Sequence, residues 1–162
     1  MPTLYETVKR FFDATDWAYE ELGDDMLMTT FGGERGEWHC VAQTSDDTHQ
    51  FVFYSIFPDA VIDRRRDHVM EFLTRVNYGL AVGNFEIDLD DGEVRFKTSI
   101  DIEGSELTLE LWRHIVYLNV TTMDTYFHGI GAVADGECTA REMVAAIEAD
   151  EFSPEGIDKL DN

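Results

Sequence analysis

The sequence predicts an α+β fold, an antiparallel sheet packed on one face by helices. Three observations lead there. Several short segments alternate apolar and polar residues, the pattern of half-buried strands. The breaks between them are short and rich in Gly, Asp and Thr, which suits hairpins rather than crossover connections. Stretches with a helical apolar period precede, interrupt and follow the strands, giving the order helix, several strands, helix, two strands, two helices.

The elements follow in turn. Thr3 to about Asp13 reads as a helix, with Thr3 and Glu6 at capping-box spacing and Leu4, Val8, Phe11 and Phe12 as its apolar stripe. Trp17–Glu21, Met26–Phe31, Trp38–Thr44 and Gln50–Phe57 read as four strands, ended by Pro58-Asp59. A helix over about Asp63–Tyr78 turns Val69, Phe72, Leu73 and Val76 inward and stops at Gly79. In Phe85–Leu89 and Val94–Ile102 the alternation is strict, and Asp91-Gly92 between them suits a two-residue primed turn. That turn would set Leu89 opposite Val94, Asp88 opposite Arg95 and Glu86 opposite Lys97. Ser105 then caps a long helix to about Gly129, and Thr139 caps a shorter one to Ala149. Residues 1–150 form one domain, and the charged, polar run over 151–162 is expected to be a flexible acidic tail.

Two segments ask for burial on more than one side. In Gln50–Phe57, Phe51, Phe53 and Phe57 share one face while Val52, Tyr54 and Ile56 share the other. In the long helix, Leu107, Leu111, Ile115 and Leu118 form one stripe, and Leu109, Trp112, Val116, Val120, Met123 and Phe127 a second. Together they span about 220°, twice the ~100° of a one-sided surface helix. Either both stripes are covered within one chain or one meets a second copy across a two-fold axis.

The segment from Phe72 to Gly104, continued through SELTLELWRHIVYLNV, resembles the YbjN family of bacterial sensory transduction regulators. The matching features are Asn77-Tyr78-Gly79 closing a helix, Gly83-Asn84-Phe85-Glu86 opening a strand, Asp91-Gly92-Glu93 at the turn, and Glu110-Leu111 early in the next helix. The likeness is good over about Val69 to Val120 and weaker from the N-terminus to about Ala149. It implies a fold like that of the type III secretion chaperones, small α+β proteins that dimerise and bind protein segments. It implies no catalytic residues, and it tips the choice above towards a homodimer.

Composition limits the functions further. At 162 residues, with 44% hydrophobic content, one chain can bury a sizeable core. No run approaches the ~18 apolar residues of a membrane span, and the opening MPTLYETVKRFF lacks the charged and apolar regions of a signal peptide. Two distant cysteines, Cys40 and Cys138, suggest reduced thiols rather than a disulfide framework. Net charge is −22, from 34 acids against 12 bases, and only Lys9, Lys97 and Lys159 are lysines. Dispersed acid with few lysines suggests a halophile's cytoplasm, where salt screens self-repulsion; the rival reading is an acidic surface for a basic partner. Nucleic-acid binding is disfavoured under both, because phosphate contacts need a basic face.

Candidate chemistry is thin. None of His39, His49, His68, His114 and His128 has metal-ligand spacing. His39 and Cys40 are adjacent on a strand and point to opposite faces. Gly32-Gly33-Glu34-Arg35-Gly36 lacks the Lys-Ser/Thr ending of a phosphate loop and reads as a hairpin connection. Arg64-Arg65-Arg66 is the basic cluster, neutralised by Asp63 and Asp67 or else aimed at an acidic partner. The expectation is a cytoplasmic, non-enzymatic module that binds another protein as regulator, adaptor or chaperone-like unit, acting as a homodimer without cofactor, metal, nucleic acid or membrane. Its contact candidates are Arg64, Arg65, Arg66, Leu109, Trp112, Val116, Val120, Phe51 and Phe53. The alternative is a small-molecule-binding or enzymatic domain with a pocket between sheet and long helix. Asn119 leans that way, since it falls between the two apolar stripes and needs a polar partner if buried.

Overall fold

The computed structural model describes residues 1–151. Helix α1 (Leu4–Ala14) opens with the expected capping box, Thr3 and Glu6 each bonding the other's main chain. Four strands follow as hairpins: β1 (Glu20–Leu22), β2 (Met26–Gly32), β3 (Glu37–Ser45) and β4 (Gln50–Ile56). A 3-10 turn at Asp63–Arg65 leads into α2 (Arg66–Gly79), then β5 (Asn84–Ile87) and β6 (Val94–Asp101), α3 (Leu109–Asp135) and α4 (Ala140–Glu151). All strand pairs are antiparallel, in the order β1-β2-β3-β4-β6-β5. This is the α+β architecture that the alternation and hairpin spacing predict. The tail expected over 151–162 lies, apart from Glu151 at the end of α4, outside the described residues.

One sheet face carries the core. Leu27, Trp38, Cys40, Phe51, Phe53, Val94 and Phe96 are buried there, and α1, α2 and α3 pack onto it. Their neighbours Met26, Met28, Val41, Val52, Tyr54 and Ile56 stand half-buried on the opposite face. Helix α4 closes over α2 and α3, and Gly129 lets them approach. A Cβ on Gly129 would lie 3.0 Å from Phe72 and from Ile147.

Three local expectations are corrected. The β5–β6 connection is no two-residue turn: Ile87 faces Val94 and Glu86 faces Arg95, a register two residues away from the expected one. The cause is tertiary. Gly92, at φ +83°, lies against Val61, whose N–H donates to the Gly92 carbonyl at 2.9 Å. Arg66 holds the wider loop by donating to the carbonyls of Leu89 (3.0 Å) and Asp90 (3.2 Å). Glu86 still reaches Lys97 diagonally at 3.4 Å as well as Arg95 at 3.3 Å. Second, α3 is capped by Thr108, whose hydroxyl accepts from the Leu111 N–H, and not by Ser105. Leu107 therefore precedes the helix while remaining in the core. Third, α3 runs through Gly129 to Asp135 and ends on left-handed Gly136.

Candidate functional site

A buried polar centre joins α3 to the sheet. Asn119, fully buried, holds its amide nitrogen 2.9 Å from the Phe53 carbonyl and 3.1 Å from both the Phe96 carbonyl and the Thr98 hydroxyl. Ser55 donates to its amide oxygen at 2.6 Å, and Trp38 Nε1 donates to Ser55 at 2.9 Å. The Thr98 hydroxyl continues the chain to the Ile115 carbonyl at 3.1 Å. Every polar group in this set has a partner, so Asn119 ties α3 to β4 and β6 and holds nothing in reserve for a ligand. Cys40 lies beside Ser55, and burial pushes its thiol up to about 12. That is the state of an inert core cysteine.

The contact candidates divide by place. Phe51, Phe53, Trp112, Val116 and Val120 are buried in the interior of the single chain, and Leu109 is partly covered at the start of α3. The arginine cluster straddles the 3-10 turn and the first residue of α2. Arg65 donates to the Val133 carbonyl at 2.8 Å, near the C-terminal end of α3, where a cation complements the helix dipole. Arg66 binds the β5–β6 loop and pairs with Asp63 at 3.3 Å. Arg64 alone stands exposed.

The surface that remains open lies alongside α3. An open groove of about 990 Å³ runs between α3 and the α1–β1 corner. Phe12 meets Trp112 with ring centroids 4.9 Å apart, and Trp17 packs on Phe12, Phe31 and Phe53 at 5.3, 6.1 and 6.2 Å. Of these rings, Trp17, Phe31 and Trp112 line the groove. Trp112 Nε1, buried, has no hydrogen-bond partner. On the α3 side Tyr117 is 68% exposed, and Asp16, at φ +56°, turns the opposite wall. Leu118, 36% exposed, lines the same groove, while Leu111, 37% exposed, lies outside its lining. The first apolar stripe thus splits: Leu107 and Ile115 enter the core, Leu111 and Leu118 do not. The groove itself escapes sequence reasoning, because Tyr117 breaks the stripe pattern and the wall comes from a corner about a hundred residues earlier.

A second, polar hollow of about 480 Å³ lies around Asp25, Asp46 and Asp47. Asp46 is committed there to the N-terminus of α1, accepting from the Leu4 N–H at 2.6 Å. No cluster of side chains suited to a metal ion occurs among the described residues. No helix among them is long and apolar enough to cross a membrane.

The β2–β3 connection is a hairpin, as its sequence suggests, but one latched to α3. Asp124 accepts from the N–H groups of Glu34 (3.3 Å) and Arg35 (2.9 Å) and pairs with the Arg35 guanidinium at 3.3 Å. Gly33 and Gly36 leave no room for a Cβ beneath Asp124 and the Phe127 ring.

Comparison with known proteins agrees with this architecture. A family model, YbjN, described as "putative bacterial sensory transduction regulator", matches residues 4–132. No curated protein matches the chain. The crystal structure of YbjN from E. coli is similar over 83% of this chain and 94% of that one, at 14% identity and a TM-score of 0.62. A chain of the ExsC–ExsE complex is similar over 78% of this chain and 96% of that one, at 13% identity and a TM-score of 0.56. At such identities the likeness is one of fold.

Proposed function

This chain belongs to the YbjN family, and from that premise we propose that it is a non-enzymatic protein-binding module, a regulator or chaperone-like unit acting as a homodimer. The observation that carries the reading is the open apolar groove beside α3, an exposed surface of the kind that marks interaction sites. A fold shared with a chain of the ExsC–ExsE complex supports it. Capture of a partner is by surface burial, with charge setting rate and selectivity.

The two flanks of α3 divide the work. The groove, with Tyr117 and Leu118 on its lip, takes the partner. Leu111, exposed outside the groove, is the natural ground for a second copy across a two-fold axis. Of the arginine cluster only Arg64 is free for an external contact. The cytoplasm suits two free cysteines, one of them an inert core thiol.

The test compares the wild-type chain with Tyr117→Ser and Leu111→Glu. Affinity capture from native lysate at high salt, read by mass spectrometry, should return a partner that Tyr117→Ser loses. Light scattering should give a dimer mass that Leu111→Glu halves. A monomeric wild type would remove the dimer from the reading. Partners captured equally by all three chains would remove the groove.

A further inference from the structure

Resting on that reading of the groove, we infer that its occupant is a basic amphipathic helix of a partner protein, laid alongside α3. Geometry decides helix against strand. A strand would need a sheet edge, and both edges are defended. On β5 the Asn77 side chain occupies the main-chain groups of Phe85 at 2.7 and 3.0 Å. Strand β1 is three residues long and carries Glu20 and Glu21, a length and charge that blunt strand addition. The groove has the dimensions of a helix seat instead. Its α3 wall runs from Glu110 to Thr122, about 18 Å, or a little over three turns. The apolar side chains it leaves accessible are Trp17, Phe31, Tyr117 and Leu118, to which a partner's i, i+3, i+4 and i+7 side chains can pack.

Charge decides basic against acidic. Asp16 and Glu110 line opposite walls. Helix α1 ends beside Asp16 with no cation in its last turn, leaving its carbonyl end uncompensated. Arg113 also lines the groove and offsets part of this local negative charge. The wider field is therefore decisive: 34 acids against 12 bases attract a cationic segment and repel an anionic one at a distance.

The experiment uses two synthetic 18-residue peptides with leucines at helical spacing, one with lysine and one with glutamate at the polar positions, and a lysine peptide of scrambled order. Binding to the full chain is followed by tryptophan fluorescence and calorimetry at fixed salt. The periodic lysine peptide should bind. Tyr117→Ser should weaken it by about ten-fold, and the Asp16→Asn/Glu110→Gln double variant by a similar factor. Asparagine tolerates the left-handed conformation at position 16, so the fold survives that change. Three results would overturn the inference while leaving groove capture standing: equal binding of the glutamate peptide, equal binding of the scrambled peptide, or binding by neither periodic peptide. Undiminished lysine-peptide binding by Tyr117→Ser would also overturn it, assigning the attraction to the acidic surface at large. So would a dimer mass that Tyr117→Ser abolishes, because the groove would then hold a second copy.

Discussion

Asn77 pairs with Phe85 as a neighbouring strand would. Its amide oxygen accepts from the Phe85 N–H at 2.7 Å, and its amide nitrogen donates to the Phe85 carbonyl at 3.0 Å. A helix-end side chain thereby completes the outer edge of the sheet. Asn77→Ala should cost about 1–3 kcal/mol, because the Phe85 N–H is left partly buried without a partner and its carbonyl keeps only the Asn84 amide at 3.4 Å. It should also bring concentration-dependent association, since the edge becomes a template for another strand. Urea unfolding and light scattering check both. A variant as stable and monodisperse as the wild-type chain would contradict the edge-closing role.

Asn119→Leu keeps the approximate volume and removes the polar centre of the core. Ser55, Thr98 and two strand carbonyls then lose a partner at once. The expected loss is at least about 3 kcal/mol in urea unfolding, as unmade buried hydrogen bonds each cost about 1–3 kcal/mol. A loss below about 1 kcal/mol would mean that the network adjusts, and that α3 is held by apolar packing alone.

Acid should act through two of the carboxylates that hold α1, Glu6 and Glu21. The Thr3 main chain holds Glu6 below its ordinary 4.5, and Lys9 together with Tyr5 does the same for Glu21. A carboxyl depressed in the folded state stabilises above its unfolded value and loses that contribution as pH falls through the folded value. The melting-temperature gap between wild type and a Glu6→Gln/Glu21→Gln variant should therefore be full at neutral pH and close below about pH 4. The gap, rather than the raw melting temperature, isolates this effect, because protonating 34 acids also relieves self-repulsion. A gap constant from pH 7 to pH 3 would contradict it.

Salt should stabilise the whole chain. With a net charge of −22, repulsion among exposed carboxylates weakens once the screening length falls to about 3 Å near molar salt. Melting temperature should climb steeply between 0.05 and about 2 M KCl. A flat profile would remove salt adaptation as the reason for the acidity and leave the acidic surface to its partner.

Much was legible from local chemistry alone. Alternation located the strands except the first, expected over Trp17–Glu21 and found at Glu20–Leu22, and the Thr3–Glu6 box and Thr139 marked two helix starts where the structure has them. The resemblance carried by Asn77-Tyr78-Gly79 and Asp91-Gly92-Glu93 led to the right family. The same local rules failed where a distant residue competed. Asp91-Gly92 satisfies a tight hairpin by sequence, yet Val61 and Arg66, far away in the chain, bind the loop open and shift the register by two. Gly129 reads as a helix stop, but it is the place where Phe72 and Ile147 press too close for a side chain.

Sequence by itself determined which residues are apolar, their period, the fold class and the sign of the surface, since each depends on near neighbours or on sums over the chain. Tertiary structure alone decided which apolar stripe is hidden. Trp112, Val116 and Val120 vanish under Phe12 and the sheet, while Leu111, Tyr117 and Leu118 stay in reach. Periodicity reports which way a side chain points around its own helix, but burial depends on what stands opposite, and that is set by contacts about a hundred residues apart.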